Sequence, residues 1–330
     1  MKVLHYISST GMGRGEVYVD LVNKLAKSID VVLLIPKNSL YLERINPSVE
    51  VIEYNAYDSR ISPLLLWEVY RKIKKIQPDI VHTHFVKASQ IFNLLNRFLH
   101  ILHIATKHNP RKGVIFNQLP HVIAVSNVVK ESIQNNNVKV IYNGIEEEQN
   151  ISPFSKNDTF TILAIGRLDK VKGFDILIQE CVKLDFEFNL EIVGEGEERS
   201  RLEEKINVLK LADKVKLLGF KEDIPQRIAN TDLVVISSHS EGFGMIMIES
   251  LFYAKMLIST RVGVAEEILP KQFLIEGYDI AAKITEVYNN SDAYQNAFDS
   301  LKNSMKKHFL LTNIADEHIA YYQKVLKERE

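Results

Sequence analysis

The chain has 330 residues, of which 46% are hydrophobic and 25% are charged, and its formal net charge at pH 7 is -1. A chain of this length and composition can bury the cores of two globular domains, and its near-zero charge argues against a nucleic-acid binder. The single cysteine, Cys181, excludes an internal disulfide and a cysteine-based zinc cluster. No apolar run approaches the roughly 20 residues of a membrane span, and the first apolar run is too short for a signal peptide. We therefore expect a cytoplasmic protein.

Short runs rich in valine and isoleucine alternate with helical patterns along the first half of the chain, which is typical of βαβ units that build a parallel sheet. The predicted strands cover residues 2–7, 30–35, 49–54, 79–82, 101–106, 121–125 and 138–142. The first strand leads into a glycine-rich turn that opens a helix, an arrangement whose backbone N–H groups favour an anion. We predict a phosphate site there, with Gly13 and Gly15.

The glycines of this turn do not have the spacing of the dinucleotide fingerprint, which argues against a dehydrogenase. A glycine-rich loop without a ligand is the alternative. Residues 1–150 carry 18 Lys and Arg against 13 Asp and Glu, whereas the rest carries 23 against 29. Anionic partners would be attracted to the first half, although a difference of this size also fits an ordinary solvated surface.

The segment 64–76 combines leucine, tryptophan and tyrosine with four cations. Such a helix can lie on an anionic bilayer, as expected if the acceptor is lipid-linked. An amphipathic helix of a doubly wound domain has the same pattern and is the simpler interpretation. Peripheral membrane contact therefore remains an alternative at this point.

The polar segment 146–158, which contains Pro153, separates the first series of strands from a second one, and we place the interdomain linker there. We predict an N-terminal domain over residues 1–150 and a C-terminal domain over 151–312, each an α/β doubly wound sheet of Rossmann type. Residues 313–330 form a separate helix that can pack back on the N-terminal domain. The strands of the second series are predicted at 160–165, 189–193, 214–217, 232–236 and 255–259.

The turn after the strand 160–165 contains several cations just before a helix begins. Ligands of open α/β sheets bind at this carboxyl edge. A guanidinium and a nearby ammonium are suited to a diphosphate that gains negative charge as its bond to another group breaks. Arg167 and Lys172 are the candidate pair, and a solvated turn with ordinary surface cations is the alternative.

The strand 232–236 leads into a loop with one glutamate, Glu241, and a helix with a second, Glu249. The two acids lie about two helical turns apart and can contact opposite ends of an extended ligand. The spacing alone is common on exposed helices, but the apolar residues around Glu249 argue against a merely solvated side chain.

Taken in order, these motifs resemble the family 4 glycosyltransferases with their E-x7-E motif, and the resemblance covers most of the chain. It implies the GT-B fold, in which two Rossmann-like doubly wound domains face a central cleft. The residues that carry it are GRGE at 13–16, PDIVHTH at 78–84, TKH at 106–108, VIYNGI at 140–145, GRL at 166–168, KG at 172–173, EGFG at 241–244 with Glu249, and AEEI at 265–268.

The resemblance also implies roles for the candidate residues. The C-terminal domain would bind the nucleotide-sugar donor, with Arg167 and Lys172 on the diphosphate and Glu249 on the ribose. Glu241 would hold hydroxyls of the donor sugar in the Gly242-Phe243-Gly244 loop, beside the backbone N–H groups of Phe243 and Gly244.

In the N-terminal domain, which would bind the acceptor, Gly13 and Gly15 would close on the phosphates. His108 matches the family's histidine near the transferred sugar, where it would hydrogen-bond a donor hydroxyl and help orient the acceptor; a satisfied histidine at a strand end is the alternative. His82 and His84 are interpreted as mainly structural, although His84 could face the cleft.

The implied activity is that of a retaining, metal-independent hexosyltransferase without a cofactor. The donor would be a UDP-sugar in preference to a GDP-sugar, and the acceptor a glycan or a lipid-linked glycan in lipopolysaccharide or capsule assembly. The lack of an Asp-x-Asp motif near the donor residues agrees with this. Two alternatives remain: a nucleotide-sugar epimerase of the same fold, and a catalytically silent nucleotide-sugar-binding scaffold.

The sequence departs from the family pattern in three places. A lysine, Lys255, replaces a common glycine, Arg261-Val262-Gly263 replaces a glycine pair, and the loop 269–277 is short. We expect these changes to border the donor pocket and to affect which sugar and nucleotide are bound.

Overall fold

The computed structural model describes residues 1–11, 17–55, 59–111, 113–152, 159–277 and 279–329. The chain divides into two compact units, one formed by Met1–Glu146 with His308–Glu330 and the other by Glu147–Lys307. The sequence-based bounds, 150 and 312, lie a few residues later. The difference at the second bound has a local cause, because the N–H of Ile145 donates to the carbonyl of Phe309 and the N–H of Leu311 donates to the carbonyl of Ile145.

The first unit contains a parallel sheet of seven strands in the order β3-β2-β1-β4-β5-β6-β7. Its strands are β1 (Lys2–Tyr6), β2 (Asp30–Pro36), β3 (Glu50–Tyr54), β4 (Ile80–His84), β5 (Leu102–Lys107), β6 (His121–Ala124) and β7 (Val138–Val140). The helices between them are α1 (Val17–Leu25), α2 (Pro63–Ile76), α3 (Phe85–Leu99) and α4 (Asn127–Glu131).

Alternation along the strands gives this sheet two apolar faces, since successive side chains of a strand point to opposite sides. On β1, Val3 packs in a core with α1, whereas Leu4 packs in a separate core with α2 and α3. Both faces are therefore covered, as the apolar strand sequences require.

The C-terminal helix α12 (Leu311–Lys327) belongs to the first unit, where it packs against α1. Its buried residues Ile314, Ala315, Tyr322 and Val325 join the core that contains Val3 and α1. A β-carbon on Gly144 would lie 2.8 Å from the side chain of Ile314. A glycine at this position therefore allows the helix to approach the strand end closely.

The second unit contains a parallel sheet of five strands in the order β10-β9-β8-β11-β12. Its strands are β8 (Phe160–Ile165), β9 (Phe188–Val193), β10 (Val215–Gly219), β11 (Leu233–Ile236) and β12 (Leu257–Ser259). Its helices are α5 (Phe174–Cys181), α6 (Arg199–Val208), α7 (Ile224–Ala229), α8 (Met245–Tyr253), α9 (Ala265–Ile268), α10 (Ile280–Asn289) and α11 (Ser291–Met305).

All twelve predicted strands occur in the described residues, and the predicted fold class, two Rossmann-like α/β domains, is confirmed. In each sheet the strand order reverses once, between β1 and β4 in the first unit and between β8 and β11 in the second. Such a switch point opens a crevice at the carboxyl ends of the two strands, where ligands of these folds bind. None of the helices in the described part of the chain has both the length and the apolar character that crossing a membrane requires.

Candidate functional site

The loop after β8 presents Arg167 at the carboxyl edge of the second sheet. Asp169 organises this loop, because its carboxylate accepts hydrogen bonds from the N–H groups of Val171 and Lys172 and caps the short helical turn they form. The other carboxylate oxygen of Asp169 accepts a hydrogen bond of 2.7 Å from Nε of Arg167. About half of the Arg167 side chain remains exposed. The guanidinium is therefore oriented but accessible to an anion.

Two glycines of this loop determine the course of Lys172. A β-carbon on Gly166 would lie 2.9 Å from Cε of Lys172, so the lysine side chain passes directly over that glycine. Gly173 has a φ of +64°, and a β-carbon there would lie 2.3 Å from the carbonyl oxygen of Ser237. Gly173 thus lets the loops after β8 and β11 come together, and Gly166 leaves room for the lysine side chain.

Hydrogen bonds join the same two loops. The hydroxyl of Ser237 donates to the carbonyl of Lys172, and the N–H of His239 donates to the carbonyl of Val171. As a result, Nζ of Lys172 lies 2.6 Å from Oε1 of Glu241, and both side chains are mostly buried. These two predicted site residues, 69 positions apart in sequence, are brought together by the structure at the switch point between β8 and β11.

Glu241 has a second partner, because the hydroxyl of Ser238 donates to the same carboxylate oxygen at 2.8 Å. The following residues, Gly242 and Phe243, lead to Gly244, which precedes α8 with a φ of +100°. The carbonyl of Phe243 accepts a hydrogen bond from the N–H of Val264, which fixes the loop from the side of β12. These contacts therefore fix the loop 241–244 at the N-terminus of the nine-residue helix α8.

Glu249 lies within α8, whose neighbouring residues Met247, Ile248 and Leu251 are fully buried. One of its carboxylate oxygens is buried as well, although part of the side chain remains accessible. This placement agrees with the prediction that Glu249 is not a merely solvated residue. Its assignment to the ribose remains a prediction.

In the first unit, His108 directly follows β5, and His84 is the last residue of β4. Nδ1 of His84 lies 3.1 Å from Nε2 of His108, and Nε2 of His84 lies 3.0 Å from Nδ1 of His5. Phe85 packs against the His108 ring with their centroids 4.4 Å apart. Phe85 also has a φ of +66°, a conformation that costs a bulky residue about 1–3 kcal/mol. Strained backbone of this kind is concentrated at functional sites.

His5, His82 and His84 each offer a nitrogen atom within 4.8 Å of the others, a spacing that could hold a metal ion. Both nitrogens of His82 are engaged, however, one with the hydroxyl of Tyr322 and one with that of Thr106, each at 2.6 Å. A metal would have to replace one of these bonds as well as the bond between His5 and His84. The cluster is therefore better described as a hydrogen-bonded network of neutral rings.

Burial keeps these rings uncharged. It lowers the pKa of His5 and of His108 to about 3, and the nearby ring of His318 contributes to the shift. The pKa values of His82 and His84 are lowered well below the usual value by burial and by the surrounding histidines. The five rings do not carry charge at neutral pH.

Gly13 and Gly15 lie outside the described residues, so their assignment to the phosphates remains a prediction. The expectation that Lys255 borders the donor pocket is wrong, because its ammonium pairs at 3.1 Å with Asp232, which precedes β11. Lys255 therefore lies at the amino edge of the sheet, opposite to Arg167 and Lys172. Arg261, by contrast, follows β12 at the carboxyl edge and pairs with Glu266 and Glu276.

Sequence reasoning missed the network that joins His5 and His84 to His108. One signal could have revealed it: His82 and His84 are two residues apart on β4 and so face the same side of the sheet. His5 lies opposite His82 on the neighbouring strand β1. Their contact nevertheless requires β1 and β4 to be adjacent, and the local pattern does not specify that pairing.

Two family models match the chain in succession. The model described as glycosyltransferase family 4 matches residues 13–149, and the model described as glycosyl transferases group 1 matches residues 145–307. The two matches together cover most of the chain.

Individual relatives agree with this result. An uncharacterized glycosyltransferase of Methanocaldococcus jannaschii is 28% identical over 259 residues, which represent 69% of this chain and 71% of the relative. The lipopolysaccharide core biosynthesis glycosyltransferase LpsD of Rhizobium meliloti is 25% identical over 274 residues, or 79% of this chain and 78% of the relative. The matched regions of three further curated relatives cover only 36%, 46% and 55% of their lengths.

Among solved structures, HepE of Anabaena in complex with UDP-glucose superposes with a TM-score of 0.85, covering 98% of this chain and 100% of that chain at 20% identity. At this identity the likeness concerns the fold. Because the two family models together match residues 13–307, the chain belongs to the family 4 glycosyltransferases, and it has their GT-B fold of two Rossmann-like domains.

Proposed function

We propose that the protein transfers a hexose, with retention of anomeric configuration and without a metal ion or other cofactor, from a nucleotide-diphosphate sugar to a glycan or lipid-linked acceptor. The observation that carries this proposal is the meeting of Lys172 with Glu241 at the switch point of the second sheet, with Arg167 on the same loop as Lys172. A guanidinium and an ammonium beside a carboxylate provide donors for a diphosphate and an acceptor for sugar hydroxyls.

The ion pair of Lys172 and Glu241 supports the assignment of the two residues to one ligand. Each side chain compensates the charge of the other in the unliganded protein, so neither is buried without a partner. A bound diphosphate would offer Lys172 a stronger anionic partner. Glu241 would then be released to accept hydrogen bonds from hydroxyls of the sugar.

In the proposed reaction the acceptor hydroxyl attacks the anomeric carbon from the face that the diphosphate leaves. The bond between this carbon and the diphosphate oxygen breaks, a new carbon–oxygen bond forms, and the departing oxygen takes the proton of the acceptor. Arg167 and Lys172 stabilise the negative charge that develops on the leaving group. Glu249 holds the ribose, and His108 hydrogen-bonds a hydroxyl of the sugar.

A UDP-sugar is the favoured donor. The solved structure of HepE contains UDP-glucose, and this chain shares its fold over nearly the whole length. The similarity to a lipopolysaccharide core enzyme supports an acceptor of the same kind in this protein. Arg261 and the short loop 269–277 lie on the carboxyl side of β12. We expect these residues to determine which sugar is preferred.

Contact with an anionic membrane surface forms part of the proposal. Three apolar side chains, Ile61 just before α2 and Leu64 and Trp67 in its first turns, are 74%, 65% and 60% exposed. The guanidinium of Arg71 lies 4.6 Å from the centre of the Trp67 ring, and Lys74 and Lys75 follow on the same helix. Exposed apolar groups beside cations are suited to the headgroup region of an anionic bilayer, where a lipid-linked acceptor would be found.

The proposal is tested by calorimetric titration of the protein with UDP, GDP, ADP and a panel of UDP-sugars in the presence of a chelator. We expect one nucleotide to bind, and Lys172→Ala to abolish the binding. The neighbouring exposed cation serves as the matched control, since Lys170→Ala should bind as the unmodified protein does.

The reaction itself is followed by NMR of the product formed with a lipid-linked acceptor, which reports the anomeric configuration. Retention supports the proposal. Release of an epimerised sugar without an acceptor, binding without any turnover, or a failure to bind any nucleotide would each contradict it.

A further inference from the structure

Three buried histidines of the first unit form a chain of hydrogen bonds that ends at His108. Nδ1 of His5 lies 3.0 Å from Nε2 of His84, and Nδ1 of His84 lies 3.1 Å from Nε2 of His108. His5 lies on β1, His84 at the end of β4 and His108 just after β5, so three adjacent strands contribute one ring each. The planes of the His5 and His84 rings are inclined by only 21°, with centroids 5.2 Å apart.

In such a chain of neutral rings, every hydrogen bond must be donated in the same direction along the chain. A neutral imidazole has one N–H and one bare nitrogen, so each hydrogen bond requires an N–H on one ring and a bare nitrogen on the next. The choice made at one end therefore determines the proton positions of all three rings. Only two arrangements exist, one directed toward His108 and one directed away from it.

The buried end of the chain distinguishes the two arrangements. Nε2 of His5 is buried and has no hydrogen-bond partner among the described residues. If the chain pointed away from His108, this atom would carry a proton without an acceptor, and orphaned buried N–H groups are rare. If the chain points toward His108, the same atom is a bare nitrogen and every N–H of His5 and His84 has an acceptor.

We infer that His5 and His84 are positioning residues that fix His108 as a neutral ring with its proton on Nδ1, so that His108 acts on its ligand as a hydrogen-bond donor. Phe85 holds the plane of the same ring, with centroids 4.4 Å apart and an interplanar angle of 30°. The inference rests on the proposed function for the identity of the ligand, an oxygen atom of the donor sugar. The position of the proton on His108 is inferred from the histidine geometry alone.

This arrangement also limits the chemistry of His108. Its Nε2 accepts a hydrogen bond from His84 and its Nδ1 already carries a proton, so neither nitrogen is available as a general base. The three rings cannot deliver a second proton either, because it would have to enter through Nε2 of His5, which has no partner among the described residues. His108 is therefore suited to binding and orienting a hydroxyl, in agreement with a reaction in which the leaving group takes the acceptor's proton.

The proton position can be measured without any substrate. Long-range ¹H–¹⁵N correlation spectra of the full chain labelled with ¹⁵N-histidine distinguish a protonated ring nitrogen from a bare one. At pH 7 we expect His108 to carry its proton on Nδ1, and we expect His84→Phe to shift it toward Nε2. A His108 protonated on Nε2 in the unmodified protein, or on both nitrogens, would overturn the inference.

His103→Phe is the matched control. His103 is a buried histidine of β5 whose Nε2 contacts Thr83, and it takes no part in the hydrogen bonds that join His5, His84 and His108. Its replacement should leave the His108 signals unchanged. If both variants shift the proton of His108 equally, the effect is a general disturbance of the sheet and the inference fails. If a variant does not fold, the spectrum of the unmodified protein still shows which nitrogen of His108 carries the proton.

The consequence for binding is measured with the UDP-sugar identified by calorimetry. We expect His84→Phe to raise KM for this donor about tenfold while leaving the Kd of UDP unchanged, because the lost hydrogen bond contacts only the sugar. An unchanged KM together with a shifted proton would overturn the assignment to the sugar. If no nucleotide-sugar binds at all, the proposed function fails, whereas the NMR result still decides the proton position.

Discussion

Nζ of Lys172 lies 2.6 Å from Oε1 of Glu241, and the hydroxyl of Ser238 donates to the same oxygen. Two groups assigned to opposite parts of one ligand thus hold each other in the unliganded protein. Both side chains are only partly exposed, and each compensates the charge of the other before a ligand binds. Binding of a nucleotide-sugar would exchange this ion pair for contacts with diphosphate and sugar.

Replacing Lys172 tests this exchange. We expect Lys172→Ala to lower kcat/KM by about 10²–10³-fold, because the ammonium stabilises charge that develops on the leaving diphosphate. The melting temperature should fall modestly, because Glu241 loses its ammonium partner but keeps the hydrogen bond from Ser238. Steady-state kinetics and thermal denaturation measure the two effects, with Lys170→Ala as control. Near-normal turnover in Lys172→Ala would remove this residue from the site.

Glu249 is expected to contribute to nucleotide affinity. Loss of its charge-assisted hydrogen bonds to the ribose in Glu249→Ala should weaken binding of the nucleotide by at least about tenfold. Calorimetric titration with the nucleoside diphosphate measures this without interference from the sugar. Glu203→Ala, in the exposed helix α6, is the control and should bind normally. Equal affinities of the two variants would show that Glu249 does not contact the nucleotide.

The buried histidines predict that the first unit is sensitive to acid. Burial lowers the pKa of His5 and His108 to about 3 and that of His318 to about 4, and it also lowers the pKa of His82 and His84. In the unfolded chain these rings bind protons below about pH 6.5. The unfolded state therefore binds more protons between about pH 6.5 and pH 4, and the free energy of unfolding falls as the pH falls through this range.

Hydrogen exchange measured from pH 7 to pH 5 follows this effect in each unit separately. Protection should decrease in the strands β1, β4 and β5 well before it decreases in the strands of the second unit. The variant His318→Phe should reduce the pH dependence, whereas replacement of the exposed His308 by phenylalanine should not. A loss of protection that occurs equally in both units would rule out the histidine network as its cause.

Lys255 is expected to affect stability and not donor preference. Its ion pair with Asp232 lies at the amino edge of the second sheet, and the other carboxylate oxygen of Asp232 accepts a hydrogen bond from the N–H of Thr161. Lys255→Ala should therefore lower the free energy of unfolding by about 1 kcal/mol or less. Urea denaturation and a competition assay among UDP-sugars measure the two properties. A changed sugar preference would contradict the placement of Lys255 away from the site.

The exposed start of α2 predicts binding to anionic vesicles. The protein should float with vesicles containing phosphatidylglycerol and not with vesicles of phosphatidylcholine alone, and salt should weaken the association. Trp67→Ser combined with Leu64→Ser should reduce it. Phe98→Ser is the matched control, because Phe98 is 71% exposed but lies on α3. Equal flotation of the double variant and the control would exclude α2 as the membrane contact.

The sequence by itself determined the local structure and its order. Apolar runs bounded by turn residues predicted all twelve strands, because a strand buried on both faces has the same apolar pattern wherever it lies in the sheet. The order of short motifs indicated the family, and the turn after each strand located Arg167, Lys172 and Glu241 at one edge of the second sheet, with Glu249 in the helix that follows. Each of these inferences depends on residues that are close together in sequence.

The tertiary structure alone decided which distant residues meet. The contact of Lys172 with Glu241 requires β8 and β11 to be neighbours, and the chain of His5, His84 and His108 requires β1, β4 and β5 to be neighbours. Strand order is set by packing of the whole sheet, so local patterns do not specify it. The same reason explains why Lys255 was assigned to the wrong edge: its position became clear only from its partner Asp232.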